Sequence, residues 1–184
     1  MFYPPDQFPF IAMLEQNWSV IHDEYSRLAA TDFMAWPERQ LYNKGWEVFG
    51  LYAWGRRIDK NCRLCPETAR IVESIPGMVT AGFSQLAPEA HIQPHVGYTT
   101  AVLRCHLGIE VPEGCSLRVG SETRNWQTGR CFIFDDTIEH EAWNRSEAHR
   151  TVLLLDIKRP DSNSPIGIPS AVANQLEAMT TGPK

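Results

Sequence analysis

Thr80-Ala81-Gly82-Phe83-Ser84-Gln85-Leu86 is a short, mostly apolar run that stops at Ala87-Pro88-Glu89. Proline lacks a backbone donor and pushes the residue before it toward extended backbone, so this pair punctuates a strand. The same arrangement recurs downstream. Apolar or alternating runs cover residues 100–109, 116–119, 130–134 and 151–157, with turn residues at Pro112-Glu113-Gly114 and Thr128-Gly129. Several short strands with regular turns predict a β-sandwich or barrel.

Upstream of these runs the first third of the chain reads as helical. Leu14, Trp18, Ile21, Tyr25 and Leu28 recur at three- and four-residue steps, one face of a helix. A second helical segment is predicted over residues 68–73, stopping before Ile75-Pro76-Gly77. The tail after Pro160 carries little signal beyond a short helix over 170–179. Helices gathered first and strands gathered later predict an α+β fold. A double-stranded β-helix (a cupin-like jelly roll) fits the strand count, with the N-terminal helices packed on one side and residues 1–184 forming one domain.

Apolar residues make up 43% of the chain and charged residues 21%, with a formal net charge of -5. There is no broad basic surface, so nucleic acid is not an expected partner. No apolar run approaches the ~20 residues that span a bilayer. Met1-Phe2-Tyr3-Pro4-Pro5-Asp6 lacks the basic start and apolar stretch of a signal peptide, so a cytoplasmic location is the default expectation. Of the five cysteines, Cys62 and Cys65 form a lone C-x-x-C with no second pair to complete a zinc site. Free thiols are the plain reading, and a redox or local disulfide role for Cys62 and Cys65 is the alternative.

Five of the six histidines, His91, His95, His106, His140 and His149, fall in the strand-rich part, whereas His22 reads as an ordinary surface residue. His95 sits in Pro94-His95-Val96-Gly97, before the strand starting near Thr100, and His140 follows the apolar run ending at Phe134. In a jelly roll two such strand ends can be neighbours across the barrel mouth. Neutral imidazoles suit iron, zinc or copper, and two on one face leave positions open for other ligands. Two bland core or surface histidines remain the alternative. Arg150 opens the last long apolar strand. Inside an apolar barrel its guanidinium would require an anionic partner, and a ligand carboxylate would serve; a strand-end arginine facing solvent is the other reading.

Several ordered motifs carry a resemblance. They are His91-Ile92-Gln93-Pro94-His95-Val96-Gly97, Leu103-Arg104-Cys105-His106-Leu107-Gly108, Phe134-Asp135-Asp136, Glu139-His140-Glu141-Ala142-Trp143 and His149-Arg150, with Ser121-Glu122-Thr123-Arg124-Asn125-Trp126 between them. This pattern resembles the aspartyl/asparaginyl β-hydroxylase family from about Lys44 to Pro160. The resemblance implies an oxygenase that uses Fe(II), 2-oxoglutarate and O2, and hydroxylates an unactivated carbon while releasing succinate and CO2. His95 and His140 match the iron ligands. Gly97 stands where most related oxygenases place a carboxylate, which implies water at that position. Arg150 matches the arginine that grips the distal carboxylate of 2-oxoglutarate, and Ser84 a serine that helps it. Arg104 and His106 match residues near the other end of the co-substrate, and Trp46 a tryptophan lining the same pocket. Cys62 and Cys65 lie near a cysteine pair of the aspartyl-peptide enzymes at a shorter spacing.

Two departures bear on the substrate pocket. Val102 and Tyr42 stand where enzymes acting on aspartyl peptides carry arginines, and losing both cations disfavours an acidic substrate. A less acidic amino acid, a peptide or an amino-acid-derived metabolite is the implied partner. The rival readings are a lipid A-type acyl chain hydroxylase, which Gly97 and the lack of a hydrophobic anchor fit less well; a non-catalytic jelly-roll protein that binds 2-oxoglutarate or another metabolite; and a zinc-dependent jelly-roll isomerase, which leaves Arg150 unexplained.

Overall fold

The run at 80–86 lies inside a nine-residue strand, and the four other runs are strands as well. In the computed structural model, which describes residues 1–160 and Ile166, the strands are β1 (Phe2–Tyr3), β2 (Met34–Ala35), β3 (Trp46–Ala53), β4 (Arg56–Arg57), β5 (Met78–Leu86), β6 (Ala90–His95), β7 (Val102–Glu110), β8 (Cys115–Val119), β9 (Glu122–Asn125), β10 (Cys131–Phe134), β11 (His140–Asn144) and β12 (Arg150–Lys158). The helices are α1 (Phe10–Gln16), α2 (Trp18–Tyr25), α3 (Asp59–Leu64) and α4 (Pro66–Glu73). The helix expected over 170–179 lies outside the described residues.

Two antiparallel sheets result. The larger runs β1-β10-β7-β12-β5-β3-β2, with β4 on β3, and the smaller runs β6-β11-β8-β9. Their facing sides share one core, in which Trp46, Leu86, Phe134 and Leu154 of the larger sheet meet Ile92, Leu117 and Ala142 of the smaller. The other face of the larger sheet packs on the helices through Phe83, Leu107, Leu153 and Leu155, against Leu14, Ile21 and Ala69. This is the α+β jelly roll with helices on one side that the strand pattern predicts. Because successive side chains alternate between faces, β12 sends Leu153 and Leu155 to the helices and Arg150 and Leu154 to the interior. A buried carboxylate joins the helical layer: Glu24 on α2 accepts from the backbone amides of Glu67 and Thr68 at the start of α4, at 2.9 and 2.7 Å.

Three local expectations change. The periodic face from Leu14 to Leu28 is two helices that meet at Asn17, whose side-chain amide donates to the Met13 carbonyl at 2.8 Å; Leu14, Ile21 and Tyr25 remain buried together. The first third is also not wholly helical, because residues 46–53 form β3 beside β5. That strand is apolar on both faces, with Phe49 and Leu51 toward the helices and Trp46 and Val48 toward the interior, and so lacks the alternation of a half-buried strand. Finally, the structure adds strand β6, which no run in the sequence predicts and which ends at His95. Pro94 obscures the strand in sequence, but β6 is a sheet edge, where a missing donor is tolerated. All five cysteines are free and buried, and the Cys62 thiol donates to the Leu51 carbonyl.

Candidate active site

β6 and β11 pair so that His95 and His140 stand directly opposite each other, with ring centroids 4.2 Å apart. Each ring reaches back to the carbonyl two residues earlier in its own chain: His95 Nδ1 to Gln93 at 2.7 Å and His140 Nδ1 to Ile138 at 2.9 Å. A carbonyl only accepts, so both Nδ1 atoms carry the proton and both Nε2 atoms keep a lone pair. Burial, then the neighbouring His95, holds His140 down to about 3; burial also lowers His95. Two neutral imidazoles with oriented Nε2 lone pairs are the donor set a divalent transition metal takes. Among the described residues no cluster of three or more histidines, cysteines or carboxylates gathers around a single point.

The carboxylates flanking His140 in sequence are mostly spoken for. Asp135 pairs with Arg159 at 2.9 Å, Glu139 with Arg118 at 2.9 Å, and Glu141 with both Arg118 and His91. Asp136 differs. It is buried, its Oδ2 lies 3.4 Å from Arg104 Nη2, and its Oδ1 has no hydrogen-bond partner among the described residues. Burial raises its pKa to about 6, against the pull of Arg104. A Cβ placed on Gly97 would lie 2.5 Å from Asp136 Oδ2. The space a carboxylate side chain at position 97 would enter is therefore filled by Asp136, reaching in from the other chain segment.

Behind the histidines a cavity of about 370 Å³ is lined by Trp46, Ser84, Arg104, His106, Trp126 and Arg150, among others. Arg150 is 2% exposed, and its Nε has no partner among the described residues. Its guanidinium sits over the Trp126 ring at 4.4 Å, and burial lowers its pKa to about 10. The indole Nε1–H of Trp126 donates to His106 Nδ1 at 3.2 Å. That bond puts the imidazole proton on Nε2, a second buried donor without a partner among the described residues. Ser84 Oγ accepts from Trp46 Nε1 at 3.0 Å, which leaves its own hydroxyl proton to donate. Among the described residues, one cavity thus collects several donors and a cation without a carboxylate partner, which calls for an anion. Arg104 lines the same cavity, but Asp156 already holds it at 2.8 and 3.3 Å, so it is the lesser cation here.

Period-two alternation explains the convergence: Arg104 and His106 share the inner face of β7, and Arg150 the inner face of its neighbour β12. The two substrate-pocket positions lie elsewhere. Val102 is buried against Val79 and Ala101, and Tyr42 packs edge-on against Trp46 while donating to the Trp36 carbonyl; neither lines the cavity. The roles of Trp126 and Asp136 were not legible from sequence. The available signal for Trp126 was a tryptophan set among polar residues, Asn125 and Gln127, which needs a buried slot of its own.

Residues 15–160 match the family described as aspartyl/asparaginyl beta-hydroxylase. Human aspartyl/asparaginyl beta-hydroxylase is 35% identical over 164 residues, covering 82% of this chain and 21% of that protein. The ornithine lipid ester-linked acyl 2-hydroxylase of Rhizobium tropici is 34% identical over 169 residues, covering 86% of this chain and 60% of that protein. The chain therefore spans only part of the length of these relatives. Among solved structures, a Pseudomonas putida prolyl-4-hydroxylase superposes with a TM-score of 0.51 at 14% identity, over 80% of this chain and 87% of that one, a likeness of fold. By its matched residues and by these relatives, the chain belongs to the aspartyl/asparaginyl beta-hydroxylase family.

Proposed function

We propose that this domain is an Fe(II)- and 2-oxoglutarate-dependent hydroxylase acting on an amino acid, a peptide or an amino-acid-derived metabolite. One observation carries the reading: Arg150, buried and without a carboxylate partner among the described residues, faces the same cavity as two oriented Nε2 lone pairs. When bound, ferrous iron with 2-oxoglutarate and O2 supplies oxidative decarboxylation coupled to insertion of one oxygen atom into a C–H bond. The residues present fit that group, because neutral imidazole is a good donor to iron and a planar guanidinium matches a carboxylate through two charge-assisted bonds.

In this reading His95 and His140 hold the metal through Nε2, and the carbonyls of Gln93 and Ile138 hold each ring in orientation. Arg150 and the Ser84 hydroxyl take the distal carboxylate of 2-oxoglutarate, and the Nε2–H of His106 donates toward its other end. Trp46 and Trp126 wall the cavity and exclude water. Asp136, seated where Gly97 leaves no side chain, would accept a hydrogen bond through its unpartnered Oδ1 from water held at the metal.

The test is turnover. Succinate should form from 2-oxoglutarate only when Fe(II) and O2 are both present, and a panel of free amino acids and short peptides should show a mass gain of one oxygen. Tight 2-oxoglutarate binding without succinate from any substrate would instead assign a non-catalytic metabolite-binding role. A second reading, hydroxylation of an acyl chain, is supported by the similarity to the Rhizobium tropici acyl 2-hydroxylase, and an acylated amino acid belongs in the same panel.

A further inference from the structure

Beside the histidine cavity lies a larger groove of about 600 Å³ that the proposed metal chemistry leaves without a role. It is cut into the inner face of the larger sheet along β2, β3 and β5, and none of its lining residues comes from the smaller sheet. Its floor includes Gly50 and Gly82, cross-strand partners that place no side chain there. Gly82 is required by close approach, since a Cβ would lie 2.6 Å from the Phe49 carbonyl oxygen. Met34, Trp36, Val48 and Trp54 form the walls. Of the polar groups that border the groove, the Ser84 hydroxyl accepts from Trp46, the Tyr52 hydroxyl from Arg57 and the Thr80 hydroxyl from the Trp54 backbone amide, while the buried Trp54 Nε1–H has no hydrogen-bond partner among the described residues. Among the described residues no charged side chain lines it.

The groove is continuous with the histidine site in two ways. Ser84 and Leu154 line both the groove and the histidine cavity. Trp36 lines both the groove and the mouth, a space of about 320 Å³ that also holds His95, Gly97, Tyr98 and Asp136. On the outside, Val96 and Tyr98 beside His95 are 59% and 42% exposed, and the Tyr98 ring stands 6.0 Å from that of Trp54 in the groove wall. Single exposed apolar residues mean little, but a contiguous apolar track ending in an apolar groove marks a binding surface.

We propose that this groove binds a linear aliphatic chain of the substrate, whose polar head stays at the mouth beside His95 and Asp136. The substrate class is therefore an amphiphile, a polar or amino-acid head carrying a hydrocarbon tail. The catalytic consequence rests on the proposed oxygenase reading, whereas binding of the chain does not.

The test uses the full chain without metal or 2-oxoglutarate. Terminally brominated fatty acids of increasing length are titrated, and quenching of tryptophan fluorescence by the bromine is read. Saturable quenching is expected, with affinity rising about threefold to fourfold per added methylene until the groove is full. Brominated butyrate should not quench. Met34→Asp, on a short edge strand where folding is little at risk, should weaken binding by about tenfold or more by placing a charge in the wall. Met34→Leu should retain it, and Gly50→Ala should shorten the chain length at which affinity levels off. Linear, unsaturable quenching, or affinity independent of chain length and of Met34→Asp, overturns the proposal. So does saturable quenching by a brominated phenylalanyl tripeptide but not by the fatty acids, which would give the groove to a peptide. Chain binding without iron-dependent succinate formation would retire the oxygenase reading alone, and the reverse outcome the groove alone.

Discussion

The two faces of the larger sheet are built from the same strands for opposite ends. On the helix side, β7 and β12 present Leu103, Cys105, Leu107, Leu153 and Leu155, close-packed and without charge. On the inner side the same strands present Arg104, His106, Arg150 and Asp156, buried polar groups. A face of the first kind stabilises the fold by removing apolar area from water, and one of the second kind costs stability and gains ligand affinity. The difference teaches that burial alone does not distinguish core from site. What distinguishes them is whether the buried polar atoms have partners.

That comparison can be broken at several points. His140→Ala should remove iron-dependent succinate formation by more than about a hundredfold while leaving the melting temperature nearly unchanged, because the change removes a ligand and not apolar packing. Full turnover in this variant would take His140 out of the metal site. Leu153→Ala, on the opposite face, should destabilise the fold by about 2–5 kcal/mol with the KM for 2-oxoglutarate unaltered. Denaturant unfolding and kinetics on the same preparation would check both halves of that statement.

Arg150→Met should sharpen the contrast further. The apparent KM for 2-oxoglutarate should rise by about thirtyfold or more, since a buried charge-to-charge contact is lost. Stability should hold or increase, since an uncompensated buried charge gives way to an apolar chain of similar reach. A fall in stability with an unchanged KM would return Arg150 to the structural side. The smallest effect is expected from Trp126→Phe. It keeps a ring under Arg150 but loses the donor to His106, worth about 1 kcal/mol or a fivefold weaker co-substrate. Nitrogen NMR of His106 should then show the tautomer released, a change that loss of packing by itself would not produce.

Much of this was legible in the chain of letters. Runs of alternating or apolar residues between proline and glycine turns are a local property, so β5, β7, β8, β10 and β12 could be read from neighbours in sequence. β3 escaped because a strand apolar on both faces has no alternation, β6 because Pro94 breaks the pattern that its edge position tolerates, and β9 and β11 because ETRN and HEAWN carry too few apolar residues to form a run. The histidines and Arg150 could be nominated from their motifs, but the substrate-side positions Val102 and Tyr42 could not be placed, since lining a cavity depends on elements far apart in sequence.

The sequence by itself determined which residues could do chemistry and that their strands would form a jelly roll, because residue type and short-range periodicity are written locally. Only the tertiary structure decided which of them meet. The β6–β11 register sets the two imidazoles opposite each other, Trp126 selects the protonated nitrogen of His106, and Asp136 fills the space at Gly97. Each of these is a contact between segments separated along the chain, and such contacts are set by packing rather than by any local preference.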